Sequence, residues 1–157
     1  MTIQFHSPNY ILLAEDNPAD TQLVREALED RKVVCDLHVV PDGEQAVEFI
    51  ERIDRDSTLN CPRLLLLDLH LPRVDGEEIL RRLRASERCG QTAVVIMTSS
   101  DFPRDREKGT RYAALHYFRK PNTLKEFLTL GDVVREIIER NATAPKSGTA
   151  NPKGQDA

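Results

Sequence analysis

Short apolar runs alternate with longer amphipathic stretches along most of the chain. Five of the short runs predict strands, and these are Tyr10–Ala14, Asp36–Val40, Leu64–Leu67, Ala93–Met97 and Leu115–Arg119. Five stretches that follow them predict helices, which begin near Pro18, Gly43, Asp75, Pro103 and Thr123. Strands that alternate with helices in this way predict an α/β fold, a doubly wound five-stranded parallel sheet with helices on both faces.

The run Leu64–Leu67 is the strongest of the strand signals. Four consecutive leucines bounded by polar residues indicate a strand buried on both faces, as parallel sheets favour. The run ends in Asp68, and a turn at Pro72 and Gly76 leads into a helix whose N-cap is Asp75. An acid at the carboxyl end of a buried parallel strand lies where open α/β sheets bind ligands. Taken alone, Asp68 could equally be a turn residue.

The last two helices carry weaker signals. The stretch from 103 to about 114 is highly charged and has little apolar surface, so we expect it to be the least stable element. The final helix follows a capping box formed by Thr123 and Glu126, and it is predicted to reach about Arg140. Gly131 lies inside it, where glycine should cost about 1 kcal/mol relative to alanine.

Length and composition predict one soluble domain. The chain has 157 residues, of which 39% are hydrophobic and 31% charged, and its net charge is −4. We expect an N-terminal extension over 1–9, a domain over 10–140 and a disordered tail over 141–157. The charge gives no reason to expect nucleic-acid binding, and no run resembles a signal peptide or a membrane span. A cytoplasmic protein without membrane association is therefore expected.

The cysteines support the same compartment. Cys35, Cys61 and Cys89 are odd in number, lie far apart in the sequence and fit neither a zinc spacing nor a disulfide framework. We therefore expect reduced thiols, as in a cytoplasm.

Polar groups follow four of the five predicted strands. Glu15 and Asp16 follow the first strand, Asp68 the third, Thr98 the fourth and Lys120 the fifth. Each has an ordinary structural explanation: a helix cap, a turn, a satisfied hydroxyl or a surface lysine. The carboxyl ends of parallel strands share one edge of a sheet, however, and packing alone does not explain why all of these groups should meet there.

The chemistry of this set indicates phosphoryl transfer. Three adjacent carboxylates raise one another's pKa unless a cation compensates them, and their hard oxygen atoms suit Mg²⁺. Lys120 can reach a phosphoryl oxygen, and the Thr98 hydroxyl can donate to another. The Asp68 carboxylate could then attack a phosphorus atom in line and form an aspartyl phosphate, with no general base required.

The same positions carry a family resemblance. The stretch Leu-Leu-Leu-Asp-Leu-His-Leu-Pro over 65–72, with Gly76 after it, the pair Thr98-Ser99 and the stretch Tyr-Phe-Arg-Lys-Pro over 117–121 resemble response-regulator receiver domains. The resemblance covers about 10–140 and implies the strand order 2-1-3-4-5 of the flavodoxin-like fold.

The resemblance also implies roles for individual residues. These are Glu15 and Asp16 as metal-binding acids, His70 as a metal ligand through its backbone carbonyl, Asp68 as phosphoacceptor and metal ligand, Thr98 as switch hydroxyl, Tyr117 as switch aromatic and Lys120 as phosphoryl-binding lysine. It further implies a cis bond between Lys120 and Pro121. His70 and Ser100 fall at positions that vary among receivers and tune the lifetime of the phosphoryl group.

A subgroup is indicated as well. The long loop over 54–62, the triplet Thr98-Ser99-Ser100 and the stretch over 120–127 are similar to small stand-alone regulators paired with phytochrome-type histidine kinases. The resemblance implies a sensor histidine kinase as partner, a downstream protein target, and a homodimer formed through the fourth and fifth predicted helices.

Several functions remain open from the sequence. A stand-alone response regulator, which catalyses its own phosphorylation and dephosphorylation, is the leading interpretation because the chain beyond 140 is too short for a helix-turn-helix domain. The alternative is a phosphorelay intermediate that passes its phosphoryl group to a histidine phosphotransferase. A phosphatase of the haloacid-dehalogenase type is disfavoured because His70 stands where that family has a second acid. A degenerate scaffold is disfavoured because no catalytic position is missing.

Overall fold

The computed structural model describes residues 9–143. Within them the strands are β1 (Tyr10–Ala14), β2 (Asp36–Val40), β3 (Leu64–Leu67), β4 (Ala93–Thr98) and β5 (His116–Arg119). The helices are α1 (Pro18–Asp30), α2 (Gly43–Arg55), α3 (Gly76–Ala85), α4 (Pro103–Arg111), α5 (Leu124–Phe127) and α6 (Thr129–Thr143). No helix within this part of the chain combines the length and apolarity that a membrane span requires.

The sheet confirms the predicted fold class. All neighbouring strands pair in parallel, in the order β2-β1-β3-β4-β5. Ala14 pairs with Leu67 at the carboxyl ends of β1 and β3. The Asp68 amide continues the ladder by donating to the Ala14 carbonyl at 3.1 Å, and the Lys120 amide likewise donates to the Thr98 carbonyl at 2.8 Å. This register brings the residues that follow the strands to one edge.

The core lies on both faces of the sheet. Leu65 and Leu67 pack into the cluster that includes α2 and α3, whereas Leu64 and Leu66 pack into the cluster that includes α1 and α6. All four leucines are fully buried. Full burial of such a side chain stabilises the fold by about 1.5–3 kcal/mol, so the leucine run anchors Asp68 firmly at the sheet edge.

Local capping signals were predicted well. The Asn17 side chain accepts a hydrogen bond from the Ala19 amide at 2.8 Å and starts α1. Asp75 accepts from the Glu78 amide at 3.1 Å and starts α3. These caps satisfy amide groups that the first turn of a helix leaves without partners.

The final helix differs from its prediction. The structure divides it into α5 and α6, and α6 continues past Arg140 to Thr143. A Cβ atom on Gly131 would lie 2.3 Å from the Ala27 carbonyl oxygen in α1. The glycine therefore permits close packing of α1 against α6, which the propensity argument did not consider. Apart from Asn9 and 141–143, the predicted N-terminal extension and tail lie outside the described residues.

Two further expectations are wrong. The described residues contain no cis peptide bond, so the bond between Lys120 and Pro121 is trans, the generally favoured form. Cys61 and Cys89 form a disulfide with 5.6 Å between their Cα atoms, and Cys35 alone is a free thiol. The pair is separated by 28 residues, but the loops that precede β3 and β4 meet because those strands are neighbours.

Candidate functional site

Three carboxylates meet at the carboxyl edge of the sheet. One oxygen atom from each of Glu15, Asp16 and Asp68 lies within 4.8 Å of the others. Glu15 and Asp68 are buried, with 2% and 7% of their surfaces exposed, and Asp16 is exposed. A compact set of carboxylate oxygens with one open side fits the ligand preferences of Mg²⁺, which usually retains water molecules.

Lys120 is the cation of this cluster. Its Nζ atom lies 2.9 Å from Glu15 Oε1, 3.1 Å from Asp68 Oδ2 and 2.7 Å from Asp20 Oδ2. Sequence reasoning missed Asp20, which lies in the first turn of α1. The signal that could have found it is the predicted start of α1 directly after the acidic pair, because a first-turn acid there must lie close to the same edge.

The charges of the cluster are only partly balanced. Burial raises the pKa of Glu15 to about 6 and the charge of Asp68 adds to the rise, although Lys120 and the Asn17 amide oppose it. Burial alone would lower the pKa of Lys120, but hydrogen bonds to Asp20 and Glu15 and the charge of Asp68 outweigh it and raise that pKa. Lys120 is therefore protonated, and the site still has an excess of negative charge that a divalent cation would relieve.

Both oxygen atoms of Asp68 are held in place. Oδ1 accepts a hydrogen bond from the His70 amide at 3.0 Å, and Oδ2 accepts from Lys120. His70 thus lies beside the cluster through its backbone, while the metal-binding role of its carbonyl stays a prediction. A carboxylate oriented by two donors keeps further lone pairs for a metal ion or for an incoming phosphorus atom.

Thr98 lies at the same edge of the sheet, at the carboxyl end of β4. It is 1% exposed, and its Oγ1 accepts a hydrogen bond from the Ser100 amide at 3.3 Å. Within residues 9–143 the Thr98 hydroxyl forms no hydrogen bond to Asp68 or Lys120. The side chain is therefore near the cluster and bound to the β4–α4 loop.

A buried acid that sequence reasoning missed lies beside this loop. Asp105 in α4 is 1% exposed, and its Oδ2 accepts a hydrogen bond from the Ser100 hydroxyl and lies 3.1 Å from His70 Nε2. Its Oδ1 lies 3.3 Å from Lys108 Nζ. Burial would raise the pKa of Asp105, but the hydrogen bonds from Ser100, His70 and Lys108 outweigh it and lower the pKa. The ionised carboxylate ties α4 to the loops that follow β3 and β4.

Tyr117 contacts the same loop from β5. Its hydroxyl donates a hydrogen bond to the Ser100 carbonyl at 2.8 Å, and the guanidinium of Arg106 lies 4.5 Å from its ring centre. The cation over the ring is a favourable cation–π arrangement. Hydrogen bonds therefore link Thr98 to Ser100 and Ser100 to Tyr117.

With this geometry in hand, comparison with known families identifies the class of protein. Residues 11–130 match the response regulator receiver domain. The chain belongs to this family, whose receiver domains take part in two-component signalling.

Individual members of the family resemble this chain along most of its length. The probable methanogenesis regulatory protein FilR2 of Methanothrix harundinacea is 32% identical over 137 residues, covering 87% of this chain and 86% of that protein. The phosphorylated cyanobacterial phytochrome response regulator RcpA has a similar crystal structure, with a TM-score of 0.76 and 28% identity over 89% of this chain and all of that one. The Mn²⁺-bound form of response regulator Rcp1 has a TM-score of 0.75 and 29% identity over 88% of this chain and all of that one. The predicted likeness to phytochrome response regulators is confirmed.

Proposed function

We propose that this protein is a response regulator that accepts a phosphoryl group on Asp68 from a histidine kinase and signals through a protein-binding face that depends on phosphorylation. The observation that carries the proposal is the arrangement round Asp68. Its carboxylate is buried at the sheet edge, Oδ1 is held by the His70 amide, and Oδ2 lies 3.1 Å from Lys120 Nζ.

The reaction needs little covalent chemistry from the protein. A lone pair of Asp68 forms a bond to phosphorus while the bond between phosphorus and the histidine nitrogen of the kinase breaks, and the leaving imidazole takes a proton from solvent. Glu15, Asp16, Asp68 and the His70 carbonyl would hold Mg²⁺, which would neutralise charge on the phosphoryl oxygens. The ammonium group of Lys120 is within reach of the same oxygens, and its contacts with the acids keep it charged.

Phosphorylation would reach the surface through Thr98. Its hydroxyl would turn towards the phosphoryl group and would give up the hydrogen bond from the Ser100 amide. The β4–α4 loop would then move, and the Tyr117 hydroxyl would lose its acceptor on Ser100, so that the ring could turn inward.

The surface altered in this way is formed by α4, β5 and the fifth predicted helix, which the structure divides into α5 and α6. Phe102, the residue that precedes α4, is a large apolar residue at this surface, with 61% of its surface exposed. We propose that this face binds a downstream protein or a second copy of the chain. The likeness to RcpA supports a phytochrome-type kinase as the phosphoryl donor. We propose the cytoplasm as the site of action on the basis of the receiver family alone, because the disulfide between Cys61 and Cys89 removes the argument from reduced thiols.

Replacement of Asp68 by asparagine tests the assignment. Asp68→Asn should abolish labelling by acetyl phosphate or by a cognate histidine kinase, because the amide is too weak a nucleophile for phosphorus. Asp75→Asn is the matched control, since Asp75 is an acid of the same loop that caps α3 and lies outside the cluster. Labelling that persists in Asp68→Asn would refute the proposal. Rapid transfer from the labelled protein to a histidine phosphotransferase would identify a relay intermediate instead.

A further inference from the structure

A cleft opens at the end of the sheet opposite Asp68. It has a volume of about 650 Å³, and it lies where β3, β4 and β5 begin. Its lining includes three arginines, Arg63, Arg84 and Arg88, together with the less polar surfaces of Pro62, Ala113 and Leu115. Clefts of about 300–1,000 Å³ are typical of small-molecule sites. We call it the arginine cleft.

The three guanidinium groups donate hydrogen bonds to uncharged oxygen atoms only. The acceptors are the carbonyls of Gly90, Thr92, Tyr112 and Ala113 for Arg84, those of Ile53, Asp56 and Leu59 for Arg88, and the Asn9 side chain and the Ile138 carbonyl for Arg63. The nearby Asp54 carboxylate accepts from the Ser86 hydroxyl and the Arg88 backbone amide. Within residues 9–143, none of the three guanidinium groups is paired with a carboxylate.

Other arginines of the chain behave differently. Arg81 and Arg82 both bind Glu78, and that carboxylate raises the pKa of each. Arg84 has no such partner, and burial lowers its pKa. Within the described residues the arginine cleft therefore collects three guanidinium groups with no carboxylate paired to any of them, in a protein whose net charge is −4.

We propose that the arginine cleft binds a small phosphate-bearing molecule. The planar fork of a guanidinium group matches the oxygen atoms of a phosphate, and arginine is the preferred residue for this contact. Of the five N–H donors of an arginine, Arg63 uses two and Arg88 three in the bonds described, so both retain donors for a ligand. The bonds to carbonyl groups hold the side chains in place before a ligand arrives, which lowers the entropic cost of binding.

The covalent structure round the cleft supports a fixed site. The disulfide joins Cys61, which precedes Pro62, to Cys89, which follows Arg88. It thus ties two walls of the arginine cleft together. The apolar surfaces of Ala113 and Leu115 on the remaining wall would contact the organic part of the ligand. The arginine cleft is a different place from the acidic cluster, because Arg63 precedes the start of β3 and Asp68 follows its end.

Calorimetric titration of the whole, metal-free protein tests the proposal. Adenosine monophosphate and inorganic pyrophosphate are the probes, and adenosine is the control that lacks a phosphate. Both phosphate-bearing probes should bind saturably and adenosine should not. Arg63→Gln should weaken binding by about tenfold or more, since a charged hydrogen-bond donor is lost. Arg25→Gln, which removes an exposed arginine on α1, should leave the affinity unchanged.

Further measurements establish that the variants are folded and that the probe binds in the arginine cleft. Thermal unfolding should show that Arg63→Gln is folded, and Arg88→Lys, which keeps the charge but loses the planar fork, should also weaken binding. Amide chemical shifts of Gly90 and Thr92, beside the cleft, should move on titration. Absence of saturable binding at about 10 mM probe, undiminished binding in both variants, or tighter binding of an acidic peptide than of either probe would overturn the proposal.

Discussion

Removal of the buried charge of Glu15 should stabilise the metal-free protein at neutral pH. The folded state raises the pKa of this carboxyl from 4.5 to about 6, chiefly through burial. Each pKa unit corresponds to about 1.4 kcal/mol, so ionised Glu15 destabilises the fold by about 2 kcal/mol. Glu15→Gln removes this cost, and Lys120 keeps Asp20 and Asp68 as partners.

The destabilisation by ionised Glu15 should depend on pH. Because the folded state binds the Glu15 proton more tightly than the unfolded state, the cost is absent below about pH 4.5, grows as the pH rises through about 6, and is complete above it. The free energy of unfolding of Glu15→Gln should therefore exceed that of the parent protein by about 2 kcal/mol at about pH 7.5 and by little at about pH 4.5.

Thermal unfolding followed by circular dichroism, with a chelator present, measures the difference. For a domain of this size a gain of about 2 kcal/mol corresponds to a rise in Tm of about 6 °C. Glu48→Gln, at an exposed position on α2, is the matched control and should change Tm little. Mg²⁺ should then raise the Tm of the parent protein more than that of Glu15→Gln, because binding to the folded state stabilises it by mass action. If Glu15→Gln raised Tm equally at both pH values, or did not raise it at about pH 7.5, the electrostatic reasoning would be refuted.

Three other outcomes are expected. Gly131→Ala should destabilise the protein by about 1–3 kcal/mol in urea unfolding, despite the better helix propensity of alanine, because its Cβ would overlap a carbonyl of α1. Gly109→Ala is the control: its Cβ would meet only side chains, so it should change stability by less than about 1 kcal/mol. Equal effects of the two substitutions would contradict the packing argument. Reduction of the bond between Cys61 and Cys89 should cost about 3–4 kcal/mol for a loop of this length, and detection of free thiols at both positions in the untreated protein would remove the basis for it. Beryllofluoride with Mg²⁺, a mimic of the phosphoryl group, should change the oligomeric state or partner affinity in size-exclusion chromatography, and Asp68→Asn should not respond. An unchanged elution profile of the parent protein would count against a switch at the face formed by α4, β5, α5 and α6.

The sequence predicted those features correctly that depend on residues close together in the chain. The leucine run before Asp68 predicted a strand buried on both faces, and the caps at Asn17 and Asp75 placed the starts of two helices. Parallel pairing then followed from the alternation of strands and helices. The clustering of Glu15 with Asp68 could be predicted because it needs only this pairing and no long-range side-chain contact.

The residues that sequence analysis missed contact partners that are far away in the sequence. Asp20 and Asp105 lie in helices whose many charged residues suggest solvent-exposed faces, yet each contacts a residue far away in the chain. The disulfide was missed for the same reason, since Cys61 and Cys89 meet only after β3 and β4 pair. Gly131 was predicted to be unfavourable because helix propensity takes no account of the neighbouring α1.

The disulfide also has a consequence for a broken chain. The segment between Cys61 and Cys89 contains β3, Asp68 and the whole of α3, so these elements lie within a covalent ring. Arg73, in the turn before α3, is 65% exposed and accessible to trypsin. Cleavage there would open the ring without separating the fragments, which would part on a gel only after a reducing agent is added. The nicked molecule would keep its acidic cluster tethered to the rest of the sheet.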